Sequence, residues 1–224
     1  MSKSIVFFDV QGKVPSFAAA KIVMVKAITR SCNFQLSLAS VTINIGGFDM
    51  ATMNFLLTGR PGVGKTTVII RLAALLGGKA VGFYTAELRA GERRVGFEVA
   101  TLGGKRAVLA HVDFASGVRV GKYGVRPESL AAALGEVSAA LADRVDKYIL
   151  IDEIGKMELL SDAFRHLVWQ ALESPFPVVA TILAGPNPFA DAVRRRRDVR
   201  LIKVTPANRD NLPYELQREL NACF

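Results

Sequence analysis

Cysteine is nearly absent. Cys32 and Cys223 are the only two, and they stand far apart. That excludes a disulfide framework and any cysteine-based metal spacing, and it points to a reducing, cytoplasmic compartment. Histidine is as scarce: His111 and His166 lie far from each other and from any ligand pattern. His166 falls among apolar positions of a helical stretch and reads as a packed structural side chain. Trp169, the single tryptophan, lies on the same stretch and reads as core or edge packing. No run reaches 18 uninterrupted apolar residues, so no transmembrane helix and no membrane partner is expected. The apolar segment 17–28 is broken by Lys21 and Lys26. Nine prolines and nineteen glycines are too few for a fibrous or disordered chain, and no repeat of 20–50 residues is visible.

Acidic residues are in deficit, with 20 Asp and Glu against 29 Lys and Arg, for a net charge of +9. The excess favours polyanionic partners: nucleotides, nucleic acid or an acidic surface. The 224 residues suffice for one α/β domain with a substantial core.

The chain changes character at Met53. Before it, apolar runs such as 5–10 and 41–45 have no placeable helix between them. After it, strand and helix signals alternate. Residues 53–58 form a short apolar run ending in a Gly-rich turn, like a buried parallel strand. A helix follows over 65–76, with Val68, Leu72 and Leu75 on one face and Gly77-Gly78 as its stop. A second strand covers 80–88. Strands over 95–102 and 106–112, joined by Gly103-Gly104, read as a hairpin inserted at one sheet edge. Leu130, Leu134, Val137 and Leu141 recur at helical spacing within 127–143. A buried strand lies at 148–151. Ser161 is placed to cap a helix carrying Phe164, Leu167, Val168, Ala171 and Leu172 on one face. Runs at 178–183 and 201–204 complete the strands. The expected fold is α/β, three-layered, with a mostly parallel sheet and right-handed crossovers.

The segment Gly59-Arg60-Pro61-Gly62-Val63-Gly64-Lys65-Thr66 matches G-x-x-x-x-G-K-[ST], with Thr67 next. Gly59, Gly62 and Gly64 let the backbone turn its N–H groups onto phosphate oxygens. The helix that begins near Lys65 aims its positive end at the same anion. Lys65 supplies a point charge for the β- and γ-phosphates, and the Thr66 hydroxyl is a ligand for Mg²⁺. The apolar strand before the motif and the amphipathic helix after it are the context that this chemistry requires.

Tyr148-Ile149-Leu150-Ile151-Asp152-Glu153 is an apolar strand ending in two acids. Asp152 fits the carboxylate that a phosphate-bound Mg²⁺ needs. Glu153 is placed to polarise a water as general base. The plainer reading is that both acids cap the next turn. Arg60, Arg94 and Lys156 are cations within reach of the γ-phosphate, and Arg94 is the candidate for stabilising its charge; each is otherwise a solvated surface charge. Arg194–Arg197 has three readings: a lid over the phosphates, a nucleic-acid contact or a solvated basic face. Asn208-Arg209-Asp210-Asn211 superficially resembles the Asn-Lys-x-Asp base reader of GTPases. Asn211 stands where the acid should be, so strict guanine specificity is not expected.

The stretch 53–76, Gly82-Phe83-Tyr84-Thr85-Ala86-Glu87, Arg94-Val95-Gly96-Phe97, Asp152-Glu153-Ile154-Gly155-Lys156-Met157-Glu158 and Val204-Thr205-Pro206-Ala207-Asn208-Arg209-Asp210 together resemble the small nucleoside-triphosphatases of thermophiles. The same family is known in human as cancer-related nucleoside-triphosphatase. The resemblance spans about 53–220. It implies a RecA-like P-loop domain over 53–224 and slow, Mg²⁺-dependent hydrolysis of ATP, GTP, CTP and UTP to the diphosphate and phosphate. It also implies a nucleotide lined by residues 59–66 and by Ile149, Leu150, Ile151, Asp152, Glu153, Ile154, Gly155 and Lys156. Residues 1–52 depart from the family. They read as an N-terminal extension, either a mis-assigned start or a segment without a fold of its own, with a targeting segment as the alternative. Two other functions stay open: a P-loop kinase acting on a nucleoside or nucleic-acid end, and a nucleic-acid-binding module switched by NTP.

Overall fold

The computed structural model describes residues 54–143 and 145–222. The expected extension 1–52 and the start at Met53 lie outside the described residues.

Apolar, β-rich runs form the strands β1 (Asn54–Thr58), β2 (Ala80–Ala90), β3 (Arg93–Thr101), β4 (Arg106–His111), β5 (Arg119–Val120), β6 (Tyr123–Val125), β7 (Tyr148–Ile154), β8 (Val178–Ile182) and β9 (Val199–Lys203). The helices are α1 (Lys65–Leu76), α2 (Ala131–Ala142), α3 (Asp162–Leu172), α4 (Pro188–Arg194) and α5 (Leu212–Asn221). All nine strands join one sheet in the order β5-β6-β4-β3-β2-β7-β8-β1-β9. The run β2-β7-β8-β1-β9 is parallel throughout, as strands separated by helical crossovers should be. The other half is antiparallel and larger than the expected hairpin. β2 outruns its parallel partner, turns at Gly91 and pairs with β3, and β4, β6 and β5 follow.

Helices cover both faces, which makes three layers. One core packs Phe55, Leu57, Tyr148, Leu150 and Val179 of the sheet against Val68, Ile69 and Leu72 of α1 and Leu212, Leu216 and Leu220 of α5. The other packs Leu56, Ile149, Ile151, Val178, Ala180 and Ile182 against Val137 of α2 and Phe164, Leu167 and Val168 of α3. Along β1, β7 and β8 successive apolar residues thus alternate between the two cores, as the pleat demands. The alternation decides where the polar residues go. Asp152 follows Ile151 and so faces the α1 side, and Thr181, two residues after Val179, faces it too.

The expected Ser161 cap and α3 face are present, whereas on α1 the buried residue is Leu76 in place of the expected Leu75. The Ser161 hydroxyl accepts from the Phe164 amide, and α3 buries the five predicted apolar residues. Trp169 packs edge-on against Phe189, 5.7 Å between ring centres. The expectation for His166 is corrected: it is exposed, because its position on α3 falls between the buried pairs Phe164 and Leu167 and faces out of the core. Among the described residues, no helix is long and apolar enough to cross a membrane.

Candidate active site

The loop between β1 and α1 is built for an anion. Gly62 (φ 75°) and Gly64 (φ 107°) adopt left-handed backbone that a side chain would strain. The Val63 amide donates to the Arg60 carbonyl at 3.2 Å and closes the turn. α1 starts at Lys65 with no acidic residue in its first turn, so its positive end is left for a ligand. The Lys65 ammonium reaches back to the Gly59 carbonyl at 3.3 Å. Thr67 points outward and is exposed, as are Arg60 and Pro61.

β1 and β7 are separated by β8 alone, so the C-terminal ends of the two sequence motifs sit side by side at one sheet edge. The Thr66 hydroxyl donates to one Asp152 carboxylate oxygen at 2.8 Å, and the Thr181 hydroxyl to the other at 2.5 Å. Asp152 is 1% exposed. Burial pushes its carboxyl up. The hydroxyls of Thr181 and Thr66, the Lys65 charge and the Thr85 backbone amide pull it back.

Past Ile151, β7 carries one residue more than β8, since Ile151 pairs with Ala180 and Ile154 with Ile182. Glu153 lies in this irregular step. Its carboxyl is also raised, chiefly by burial and further by Asp152, against the pull of Lys65. Glu158 is buried beneath it at 5% exposure and is pushed up to about 8, mainly by burial, with the Glu153 and Asp152 charges adding to the shift. Gly155 is the contact point. A Cβ there would stand 2.6 Å from a Glu158 carboxylate oxygen and 3.0 Å from one of Glu153. Only glycine leaves room for both acids.

Thr66 and Asp152 offer the hard oxygen donors that Mg²⁺ takes, on a rigid strand end and the first turn of a helix. Mg²⁺ needs few protein ligands when phosphates and waters complete the shell. Among the described residues, no group of three or more His, Cys, Asp or Glu side chains is placed to hold a metal.

Several expected site residues have side chains held in the core, at the surface or by other partners. The side chains of Ile149, Leu150, Ile151 and Ile154 are fully buried, so they hold Asp152 and Glu153 in place from within the core. Lys156 is exposed on the following turn. Arg94 is engaged elsewhere: its guanidinium bonds Glu87 at 2.6 Å and the Tyr123 hydroxyl at 3.0 Å, and lies 5.1 Å from the Phe97 ring centre. The Arg194–Arg197 run divides in two. Arg194 pairs with Asp191 at 2.5 Å and donates to the Leu183 carbonyl, and Arg196 pairs with Asp198 at 2.7 Å and lies 5.2 Å from the Trp169 ring centre. Only Arg195 and Arg197 are exposed. Glu158 closes the family-like run 152–158 and is the next carboxylate after Glu153, whereas Thr181 is not among the residues that the sequence assigns to the site. For Thr181, a lone hydroxyl in an otherwise apolar strand was the available signal.

A phosphate-binding loop, an acid-tipped strand one strand away and a parallel sheet between helix layers define a P-loop nucleotide-binding hydrolase. The model of the family described as NTPase matches residues 54–217. The chain belongs to that family. It is 44% identical over 173 residues to the nucleoside-triphosphatase THEP1 of Natranaerobius thermophilus, covering 76% of this chain and 98% of that one. It is 39% identical over 171 residues to the human cancer-related nucleoside-triphosphatase, covering 70% and 90%. The crystal structure of THEP1 from Aquifex aeolicus superposes with a TM-score of 0.69 at 39% identity, covering 75% of this chain and 99% of that one.

Proposed function

We propose that this chain is a Mg²⁺-dependent nucleoside-triphosphatase that accepts ATP, GTP, CTP and UTP and releases the diphosphate and phosphate in the cytoplasm. The observation that carries the reading is the 2.8 Å pairing of the Thr66 hydroxyl with Asp152 at the mouth of the glycine loop, beside Glu153. Thr66 and Asp152 would hold the ion, which when bound neutralises charge on the β- and γ-oxygens. Lys65 and the loop amides bind the phosphates. Glu153 takes a proton from a water as its oxygen attacks the γ-phosphorus and the bond to the bridging oxygen breaks. A raised carboxyl is the stronger base, so the burial of Glu153 serves that step. Arg94 can take up γ-phosphate charge only by exchanging Glu87 for it. Asn208 supports tolerance of different bases, because both ends of its amide are already bound, to the Thr205 amide at 2.8 Å and the Lys203 carbonyl at 2.9 Å. A lid over the phosphates, as in P-loop kinases, is the use of Arg194–Arg197 that would favour a kinase, and two of those four arginines are spent on structural contacts.

Phosphate release from the four NTPs, with Mg²⁺ and with chelator, tests the reading. Release should occur from all four without an added acceptor and stop with chelator. Release that needs an acceptor, or one base only, would overturn it. In the same assay, Glu153→Gln should keep Mg·NTP affinity and lower turnover by about 10²-fold, the low end of what a positioned general base contributes. Undiminished turnover would move the proton acceptor elsewhere, with Glu158 the next carboxylate.

Residues 1–52 lie outside this chemistry. The family match begins at 54, and β1 begins there too. A chain beginning at Met53 should fold and hydrolyse NTP at the rate of the full-length protein. Insolubility or lost turnover of that shorter chain would place the domain boundary earlier.

A further inference from the structure

The segment after β9 lies on the opposite side of the glycine loop from the acids. β9 is the neighbour of β1 away from β8 and β7. Its end closes on the loop: the Val204 amide donates to the Thr58 carbonyl at 2.7 Å, and a Cβ on Gly59 would stand 2.9 Å from the Val204 carbonyl oxygen. The next turn is locked by Asn208, whose side chain accepts from the Thr205 amide and donates to the Lys203 carbonyl. The Arg209 amide bonds the Thr205 carbonyl at 3.0 Å, and Asp210 ties the turn to Arg71 of α1 at 3.0 Å. These bonds carry the Arg209 side chain onto the loop. Its guanidinium donates to the Val63 carbonyl at 3.3 Å, and its Cδ would be 3.2 Å from a Cβ on Gly64. The side chain is still 44% exposed, so one side of it remains open.

The triphosphate has a fixed direction across this loop. Its γ end must meet Asp152 and Glu153, on the β7 side. Its α end, with ribose and base, must therefore leave toward β9, where Arg209 lies. We propose that Arg209 is the platform for the nucleotide base: its planar guanidinium stacks on the face of the base. A base face carries no identity, in contrast to the hydrogen-bonding edge, and every base has one. A stacking arginine, beside an Asn208 whose amide is tied at both ends to the backbone of its own turn, binds purines and pyrimidines alike. The proposal rests on the reading of residues 59–66 as an NTP cradle and adds the group that holds the nucleoside end.

The test compares ligands with and without a base. Equilibrium affinities of Mg²⁺ complexes of ATP, GTP, CTP, UTP and inorganic tripolyphosphate are measured for wild type, Arg209→Ala and Arg209→Lys. Arg209→Ala should weaken all four NTPs roughly tenfold, the scale of one base–side-chain stack, and leave tripolyphosphate within twofold of wild type. Arg209→Lys keeps the charge and the reach to Val63 but has no plane, and should recover only part of the loss. An equal loss for tripolyphosphate would mean that Arg209 serves the phosphates or the loop itself, and would overturn the proposal. So would no loss for NTP, a loss confined to one base, or full recovery with lysine. If wild type fails to bind tripolyphosphate at all, it is the cradle reading that falls.

Discussion

Lys65→Ala should abolish productive nucleotide binding. The affinity for Mg·NTP should fall by roughly 10²–10³-fold, the range for removing one partner of a desolvated charge pair, and steady-state hydrolysis should disappear with it. The structure shows why its neighbours do not replace it: another cation bonded to the loop, Arg209, sits at the Val63 carbonyl on the β9 side, away from the acids. Lys65 sits at the first position of α1 with its ammonium turned back over the loop to Gly59, and its charge is the one that pulls both Asp152 and Glu153 down from the values that burial alone would give them. Arg60 and Lys156 are exposed and Arg94 is paired with Glu87. Removing Lys65 therefore strips the phosphates of their nearest fixed charge and leaves two buried acids to repel what remains. Equilibrium binding of a fluorescent NTP and phosphate release together measure this. Turnover at the wild-type rate in Lys65→Ala would remove the phosphate-cradle reading altogether.

The parts of this molecule that were legible in the sequence are those where local pattern and tertiary role coincide. The glycine loop is such a case, since its residues are contiguous and the left-handed turns at Gly62 and Gly64 fall where the spacing asks for them. The α3 face is another, because its 3.6-residue period survives folding intact. β7 was legible as an apolar run ending in acids, and the pleat then carried Asp152 to the α1 side without further information. What stayed hidden depends on residues far apart in the chain. β5 and β6 are two and three residues long, too short to carry a period, and exist because β4 offers an edge to β6 and β6 one to β5. Thr181 reached Asp152 because β8 lies between β1 and β7, an order that no local pattern contains. The Arg194–Arg197 run is uniform in sequence, yet Arg194 pairs back to Asp191 along α4, Arg196 pairs forward to Asp198 past the helix end, and Arg195 and Arg197 are exposed. His166 misled for a related reason: a helix with several apolar residues still has an outer face.

Asp152→Asn separates what the buried carboxylate does for the fold from what it does for the reaction. Asp152 is almost wholly enclosed, and burial raises its carboxyl above the ordinary 3.8. With no cation bound, the folded chain therefore keeps that proton to higher pH than the unfolded chain does. From about 3.8 upward, rising pH charges the unfolded state first, and the native state loses stability until the folded value is passed. Asparagine does not titrate; its oxygen accepts from one of the two threonine hydroxyls, and its NH2 donates to the other once that hydroxyl turns. Without ligand, the variant should melt at the wild-type temperature or above it at pH 7–8, and the difference should shrink toward pH 4. Its chemistry should fail. An amide offers the cation no charge, so Mg·NTP should no longer raise the melting temperature. Turnover should drop by roughly 10³-fold or more, equivalent to about 4 kcal/mol of transition-state stabilisation. That pattern differs from Glu153→Gln, where affinity and ligand-induced stabilisation survive and only turnover falls. Thermal melts across pH, with and without Mg·NTP, and single-turnover hydrolysis distinguish the two variants. If Asp152→Asn retains its stabilisation by Mg·NTP, the ion is held by other groups, and the pairing of Thr66 with Asp152 is a structural hydrogen bond rather than half of a metal site.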